Sequence, residues 1–516
     1  MKLKPEGRWI LFFSIGLIIL TSAPYIYAAR QAGEDWEFTG FLFAVEDGNS
    51  YIAKMLNGAY GDWLFRSPYT SEEQAGALLY VPYLLLGKII GASVSHADFV
   101  IAFHGFRAAA IFAVSFAMYA FISLFVSDRF YRRAGSAIAL LGSGLGWMVL
   151  LAGRSEVFGS LPLEFYSPET FGFLGIFGIP HLAMARALLL WGLLLYLKPV
   201  KSIWIPVVVW FALALTHPLN AALGLLLISL HLIFLFLRNE GDLLLSTKPA
   251  LPAFFGAGAI MVVNLLQYAS DSYLQNWASQ NLITSPHPVH YLLAYGLLLP
   301  FAIIGLRALW RREKRLATFA GVWLLALPFF LYIPFSLQRR FAEGAWVLHV
   351  CLALCSIESV TLRKRLYLLG LFTLTIPSTL GLILGAWQES RRAEPPVFRS
   401  ANEVEALSFF PFESPKSIVL ASYEIGNPLP AWSPVHVLLG HGPESIDFQR
   451  ISISIEEFYS QETSDAARQN LIAEHGIDYV FWGPDERALG DWSPDSADYL
   501  DEVFSSEGYR IFRTVK

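Results

Sequence analysis

The chain has 516 residues but only two cysteines, Cys351 and Cys355. They lie four apart in an apolar stretch, which puts them on one helix face as small packing residues. Such a pair makes no disulfide framework and says nothing about redox compartment. Charge is scarce as well. Charged residues are 15% of the chain, against about 25% in soluble globular proteins. The net charge of −5 gives no basic surface for nucleic acid. Internal repeats and low-complexity tracts are absent. So is a nucleotide-binding loop: Gly142-Ser143-Gly144-Leu145-Gly146 follows no strand and falls inside an apolar segment, where close helix packing is expected.

What the chain has is hydrophobic length. Apolar residues make up 55% and the mean hydropathy is +0.48. Runs of about 20 apolar residues recur, each long enough to cross a bilayer. The pattern predicts a polytopic α-helical membrane protein. Lys2, Lys4 and Arg8 precede a first apolar run from Trp9 to Ala28. That run is longer than a signal-peptide core, so a retained first span is expected. Further spans are expected near 99–126, 134–152, 180–197, 203–216, 218–237, 250–268, 289–310, 316–335, 344–361 and 366–387.

Charge bias sets the orientation. Residues 203–237 read as two helices broken at His217-Pro218, because proline disfavours continuation there. One long helix would invert every later loop. With two, the clusters Arg129/Arg132/Arg133, Arg238/Lys248, Arg311/Arg312/Lys314/Arg315 and Arg363/Lys364/Arg365 all face the cytoplasm. The expected topology has about eleven spans, with the N-terminus inside and the C-terminus outside. Segment 76–92 is apolar, but crossing would put Arg129, Arg132 and Arg133 on the wrong face. With Pro82 and Lys88 it reads as an interfacial helix within an outer loop, 29–98.

The composition shifts after Gln388. Residues 395–516 hold 20 acidic against 8 basic residues and no span. Strand-like runs (Ser417–Ala421, Val435–Leu439, Tyr479–Trp482, Arg510–Phe512) alternate with helical patterns (Ile455–Tyr459, Asp465–His475, Ala497–Ser505). The expectation is a membrane domain, 1–390, followed by a small extracytoplasmic soluble α/β domain, 391–516.

Several polar residues stand out on the outer face of this topology. The first outer loop carries adjacent carboxylates, Glu46 and Asp47, then a helical stretch with Tyr51. Asp47 can alternatively be read as the cap of a helix beginning near Asn49. Arg339 and Arg340 lie in a very short outer loop and break the charge bias. Such residues either snorkel to headgroups or have a functional partner. His181, His217, His287 and His290 fall near outer span ends. Glu156, Glu164 and Glu169, in the loop 153–179, offer a second acidic site.

A carboxylate after span 1, then an aromatic helix, an interfacial segment and later outer-face arginines, resembles the GT-C superfamily of membrane glycosyltransferases. Its members include oligosaccharyltransferases, protein O-mannosyltransferases and aminoarabinose transferases. Asp47 with Tyr51 four residues on is similar to the oligosaccharyltransferase pattern. Ala77–Gly91 resembles the interfacial helix of the other two groups. No WWD-type acceptor motif is present, which argues against a true oligosaccharyltransferase. The resemblance implies an inverting transfer of a sugar from a polyprenyl-phosphate-linked lipid to an extracytoplasmic acceptor, at the plasma membrane. Asp47 would be base or metal ligand and Glu46 its partner. Arg339 and Arg340, with His217 and His181, would bind the donor phosphate. The only cofactor implied is a divalent cation, Mg2+ or Mn2+. A transporter or flippase, and a non-catalytic scaffold with an outer binding domain, are the alternatives. The expected partners are the lipid-linked sugar and the bilayer, with no nucleic acid.

Overall fold

The computed structural model describes residues 5–92, 95–238, 247–359, 363–410 and 416–515. Lys2 and Lys4, used above for orientation, lie outside them. Among the described residues, eight helices are long and apolar enough to cross a membrane. There are nine if Val289–Tyr295 and Leu299–Arg312, bent by 62°, form one broken span. This is a polytopic helical membrane protein. The two remaining expected spans are shorter pieces. Trp204–Thr216 is a 13-residue helix. It stops before Pro218, which opens the next helix, Pro218–Leu237, with His217 between them.

The segment 134–152 differs from expectation. It is not one span but two helices, Arg129–Leu141 and Trp147–Leu151. The glycine-rich run 142–146 is the break, and the close packing expected of it is also present: a Cβ on Gly144 would fall 2.7 Å from Ala294 Cα. Glycine is costly in a helix interior, and the freed N–H groups find partners elsewhere. Ser143 N donates to Thr375 O and Leu145 N to Leu293 O. Gly146 N donates to the Glu164 carboxylate at 2.5 Å.

Two compact units emerge. The first comprises Met1–Ala23, Gly105–Val263 and Leu282–Trp387, the second Pro24–His104, Asn264–Asn281 and Gln388–Lys516. In the first, the segment Gln338–Ser359 is almost wholly buried. Phe12, Leu237 and Phe255 remain exposed, as lipid-facing side chains would be.

The second unit joins distant parts of the sequence. The helix Val45–Ala59 packs on Val81–Ile90, the segment read above as interfacial. Glycines allow the close approach: a Cβ on Gly58 would fall 2.1 Å from Leu84 O, and one on Gly87 1.7 Å from Met55 O. Strand β1 (Trp36–Phe38) pairs antiparallel with β2 (Phe398–Ser400). A five-stranded mixed sheet follows, built from β3 (Ile418–Leu420), β4 (His436–Val437), β5 (Tyr479–Trp482), β6 (Leu500–Ser506) and β7 (Tyr509–Thr514). Its order is β4-β3-β5-β7-β6. The β4-β3-β5 part is parallel and the β5-β7-β6 part antiparallel. Tyr69, from the first loop, is buried in the core of this sheet with Val419, Ile425 and Phe481.

Residues 497–505, expected as a helix, are largely strand β6. The apolar residues Leu500, Val503 and Phe504 fall at helical spacing. The pairing with β7, through a turn at Glu507-Gly508 with Gly508 at φ 84°, selects the extended form.

Candidate functional site

The carboxylates of the first loop sit at the start of the Val45–Ala59 helix. Its N-cap is Ala44, in a left-handed conformation with φ 49°. Asp47 is therefore inside the first turn and is not the cap. Acids in that turn complement the helix dipole. The two point to different partners. Glu46 Oε2 accepts from the Tyr423 hydroxyl at 3.0 Å. Burial, then the Glu46 charge, pushes that hydroxyl's pKa up and keeps it a donor. Asp47 Oδ1 lies 3.2 Å from His441 Nε2. The Asp47 side chain is 45% exposed, whereas His441 is buried.

A buried charge pair lies beneath. Lys54 is two turns on from Asp47 and on the same helix face. Its Nζ is 2.7 Å from Glu444 Oε1, and both side chains are sealed from solvent. Lys54 also donates to Ser50 Oγ and stands over the ring of Tyr80, 4.3 Å from its centroid. Glu444 accepts from Ser50 Oγ and Ser67 Oγ, each at 3.1 Å. Burial is the largest influence on both charges. It pushes Lys54 down. It would push Glu444 up, but the Lys54 charge and the hydrogen bonds from Lys54 and Ser50 override it and hold that carboxyl below its ordinary value.

The loop 440–445 brings His441 and Glu444 together. Gly440 N and His441 N both donate to Ser445 Oγ, and Ser445 N returns to His441 O. Gly440 and Gly426 touch backbone to backbone. A Cβ on Gly440 would meet Gly426 O at 2.3 Å, so only glycine fits. From this loop His441 Nδ1 lies 3.6 Å from Glu444 Oε1.

The arginines belong to the first unit. Arg339 and Arg340 lie in a short 3-10 helix, Gln338–Ala342. The Arg339 guanidinium stands over the Tyr166 ring, 4.8 Å from its centroid. Its Nε is buried and has no hydrogen-bond partner among the described residues. Arg340 Nη1 is 3.5 Å from Glu169 and 3.3 Å from His217 Nε2. His217 Nδ1 is also 3.2 Å from Asn220 N. A neutral imidazole accepts at one nitrogen only, so it serves Asn220 or Arg340, not both. The His181 ring lies over that of His217, 6.2 Å between centroids. Arg340, Glu169, His217 and His181 thus form one cluster.

The other candidates sit apart from it. Glu164 holds the glycine break and accepts from Ser378 Oγ, and burial raises its pKa. Glu156 is exposed on a turn. His290 Nε2 contacts Val157 O at 2.7 Å, and His287 stacks on Phe158.

Sequence reasoning missed Lys54, Glu444, His441 and Tyr423. Lys54 had a signal: the one cation of its helix, at helical spacing from Asp47. His441 and Glu444 fall in the tail run GHGPES, 440–445, which stands out in the sequence without a role, because that role depends on a fold-back across most of the chain. Also missed was the buried pair Arg186–Glu343, whose arginine further donates to Phe171 O and Pro168 O.

Among the described residues, no three His, Cys, Asp or Glu side chains gather as a metal ion would need. Glu46 turns to Tyr423 rather than to the Asp47–His441 pair. The donor set therefore does not fit a resident metal.

No protein-family model and no curated protein matches the sequence. Solved structures similar to it include the archaeal oligosaccharyltransferase AglB from Archaeoglobus fulgidus, in complex with an inhibitory peptide and a dolichol-phosphate. The TM-score is 0.53 at 11% identity, covering 98% of this chain and 74% of that one. The same enzyme in complex with Zn and sulfate gives a TM-score of 0.52 at 12% identity, covering 96% and 73%. The arabinofuranosyltransferase AftD from Mycobacteria gives 0.50 at 12% identity, over 99% of this chain but 42% of that one. At such identities the likeness speaks to the fold alone. This chain has the fold of the GT-C glycosyltransferases.

Proposed function

We propose that this protein is a membrane glycosyltransferase that moves a sugar, with inversion, from a polyprenyl-phosphate-linked donor to an extracytoplasmic acceptor. The observation that carries this reading is Asp47. It is a half-exposed carboxylate in the first loop of a GT-C fold, buttressed by His441 over a sealed Lys54–Glu444 pair. A carboxylate so held is built for proton transfer rather than for surface solvation.

The chemistry follows in one displacement. An acceptor hydroxyl or amide attacks the anomeric carbon from the face opposite the phosphate. Its proton passes to Asp47 as the new bond forms. The bond between the anomeric carbon and the phosphate oxygen breaks, and the electron pair leaves with the polyprenyl phosphate. Arg339, whose buried Nε has no hydrogen-bond partner among the described residues, and Arg340, paired with Glu169, are the candidate phosphate ligands. Charge-assisted bonds of this kind favour an oxyanion that gains charge in the transition state. Glu46 holds Tyr423 and shapes the rim, and His181 and His217 back Arg340. The bound dolichol-phosphate of AglB supports a polyprenyl phosphate as the lipid. No step is routed through a metal.

In the membrane we place the N-terminus inside and the C-terminal segment outside, with all the expected apolar segments traversing it or lying in its surface. The test is direct. The purified protein in nanodiscs is incubated with polyprenyl-phosphate hexoses and pentoses, radiolabelled in the sugar. Release of label from the lipid by wild type but not by Asp47→Asn supports the reading. Equal release by both overturns it.

A further inference from the structure

The Asp47 carboxylate has a partner from far along the chain, His441. Its partner comes from a segment nearly four hundred residues later, and that segment is fixed far more firmly than an exposed rim requires. His441 is buried, its backbone is locked to Ser445, and Gly440 lies flat on Gly426. Its Nδ1 faces Glu444, and Glu444 is immobilised by Lys54, Ser50 and Ser67. Two carboxylates, Asp47 and Glu444, flank His441 here, with Lys54 against the second. An imidazole between the two serves as a hydrogen-bond donor and a rigid strut.

We propose that His441 is the positioning residue for the Asp47 base: the C-terminal segment supplies one imidazole that fixes the carboxylate's direction and stabilises its ionised form. This rests on the reading of Asp47 as base. The proton of the acceptor still goes to Asp47, and His441 neither gives nor takes one. Glu444 lies behind the ring, 3.6 Å from Nδ1 and without a hydrogen bond to it, and Lys54 keeps Glu444 in place. The C-terminal segment is thereby part of the catalytic unit. A chain in which it is dislodged would keep its spans and lose its chemistry.

A carboxylate labelling experiment needs no knowledge of the sugar. Carbodiimide with glycine ethyl ester modifies protonated carboxyl groups, and peptide mass spectrometry reads each site. His441→Ala removes the donor, so modification of Asp47 should rise about threefold or more relative to the exposed Asp98. His441→Gln places an amide N–H near the same point and should stay close to wild type. With a donor that wild type consumes, His441→Ala should lower kcat on the order of 10- to 100-fold with KM little changed, and His441→Gln should recover most of it. Labelling of Asp47 that is the same in His441→Ala as in wild type overturns the proposal. So does an equal rise in the Ala and Gln variants with early melting of both, which would make His441 structural only. Full transfer by Asp47→Asn removes the base reading itself. An inactive Asp47→Asn with unchanged labelling removes only the role of His441.

Discussion

His441 Nε2 lies 3.2 Å from Asp47 Oδ1, although 394 residues separate them in sequence. The contact closes the first loop and the C-terminal segment into one site. It also gives Asp47 a use beyond starting a helix, since Ala44 already occupies the cap position. Four consequences can be measured.

The buried pair under this contact should dominate the stability of its unit. Breaking a sealed ion pair from one side leaves a buried charge, which costs about 3–5 kcal/mol. Lys54→Met and Glu444→Gln should each lower the melting temperature in detergent. The double variant Lys54→Met/Glu444→Leu should recover part of the loss, because it leaves no charge behind. Additive losses in the double variant would refute the pairing.

The same pair has a pH signature. Glu444 is held below the ordinary carboxylate value, which is about 4.3 in an unfolded chain. A depressed carboxylate adds stability that is complete above its unfolded pKa and lost as pH falls through the lower, folded one. The stability gap between wild type and Glu444→Gln should thus be full at pH 7 and shrink below about pH 4. Denaturant titrations at several pH values would show it. A gap that widens toward acid would contradict the assignment.

The two arginines should separate. The buried Nε of Arg339 has no hydrogen-bond partner among the described residues, whereas Arg340 pairs with the buried Glu169. Arg339→Lys keeps charge but loses the planar fork. Binding of dolichyl phosphate should weaken about 10-fold or more, the equivalent of one charge-assisted hydrogen bond, with folding unchanged. Arg340→Ala should reduce both binding and stability. Unchanged binding in the double alanine variant would return both to snorkelling toward headgroups.

Topology is open to labelling. Cysteines introduced at Asp62, Gln280 and Ser464 should react with an impermeant maleimide from outside, and those at Arg132 and Lys314 only after permeabilisation. The native Cys351 and Cys355 are buried and leave a low background. Outside labelling at position 314 would overturn the orientation.

The membrane class was plain in the sequence, because a water-soluble fold has little use for repeated apolar runs of bilayer length. The His217-Pro218 break was legible as well, since proline disfavours continuation and the charges of the later loops favour two helices. The glycine run 142–146 was not. A helix break and a close helix contact need the same residues, and here both hold: the freed N–H groups go to Thr375 and Leu293, and Gly144 lies against Ala294. Strand β6 was misread because Leu500, Val503 and Phe504 fall at helical spacing, and only the pairing with β7, with its register shift at Glu502/Phe504, imposes the extended form. Asp47 could be picked from its place after the first span. Its partners could not, because His441 and Glu444 acquire meaning only through the fold-back onto the first loop.

The central claim is that Asp47 takes a proton during sugar transfer. Asparagine at this position is nearly isosteric, and its carbonyl can still accept from His441. Asp47→Asn should therefore fold and melt like wild type, yet it carries no base. The decisive measurement is transfer of label from a polyprenyl-phosphate sugar by wild type and Asp47→Asn in the same nanodiscs. The account predicts a loss of at least about 100-fold for the variant, the lower end of what a general base contributes. Transfer by Asp47→Asn at the wild-type rate would contradict it.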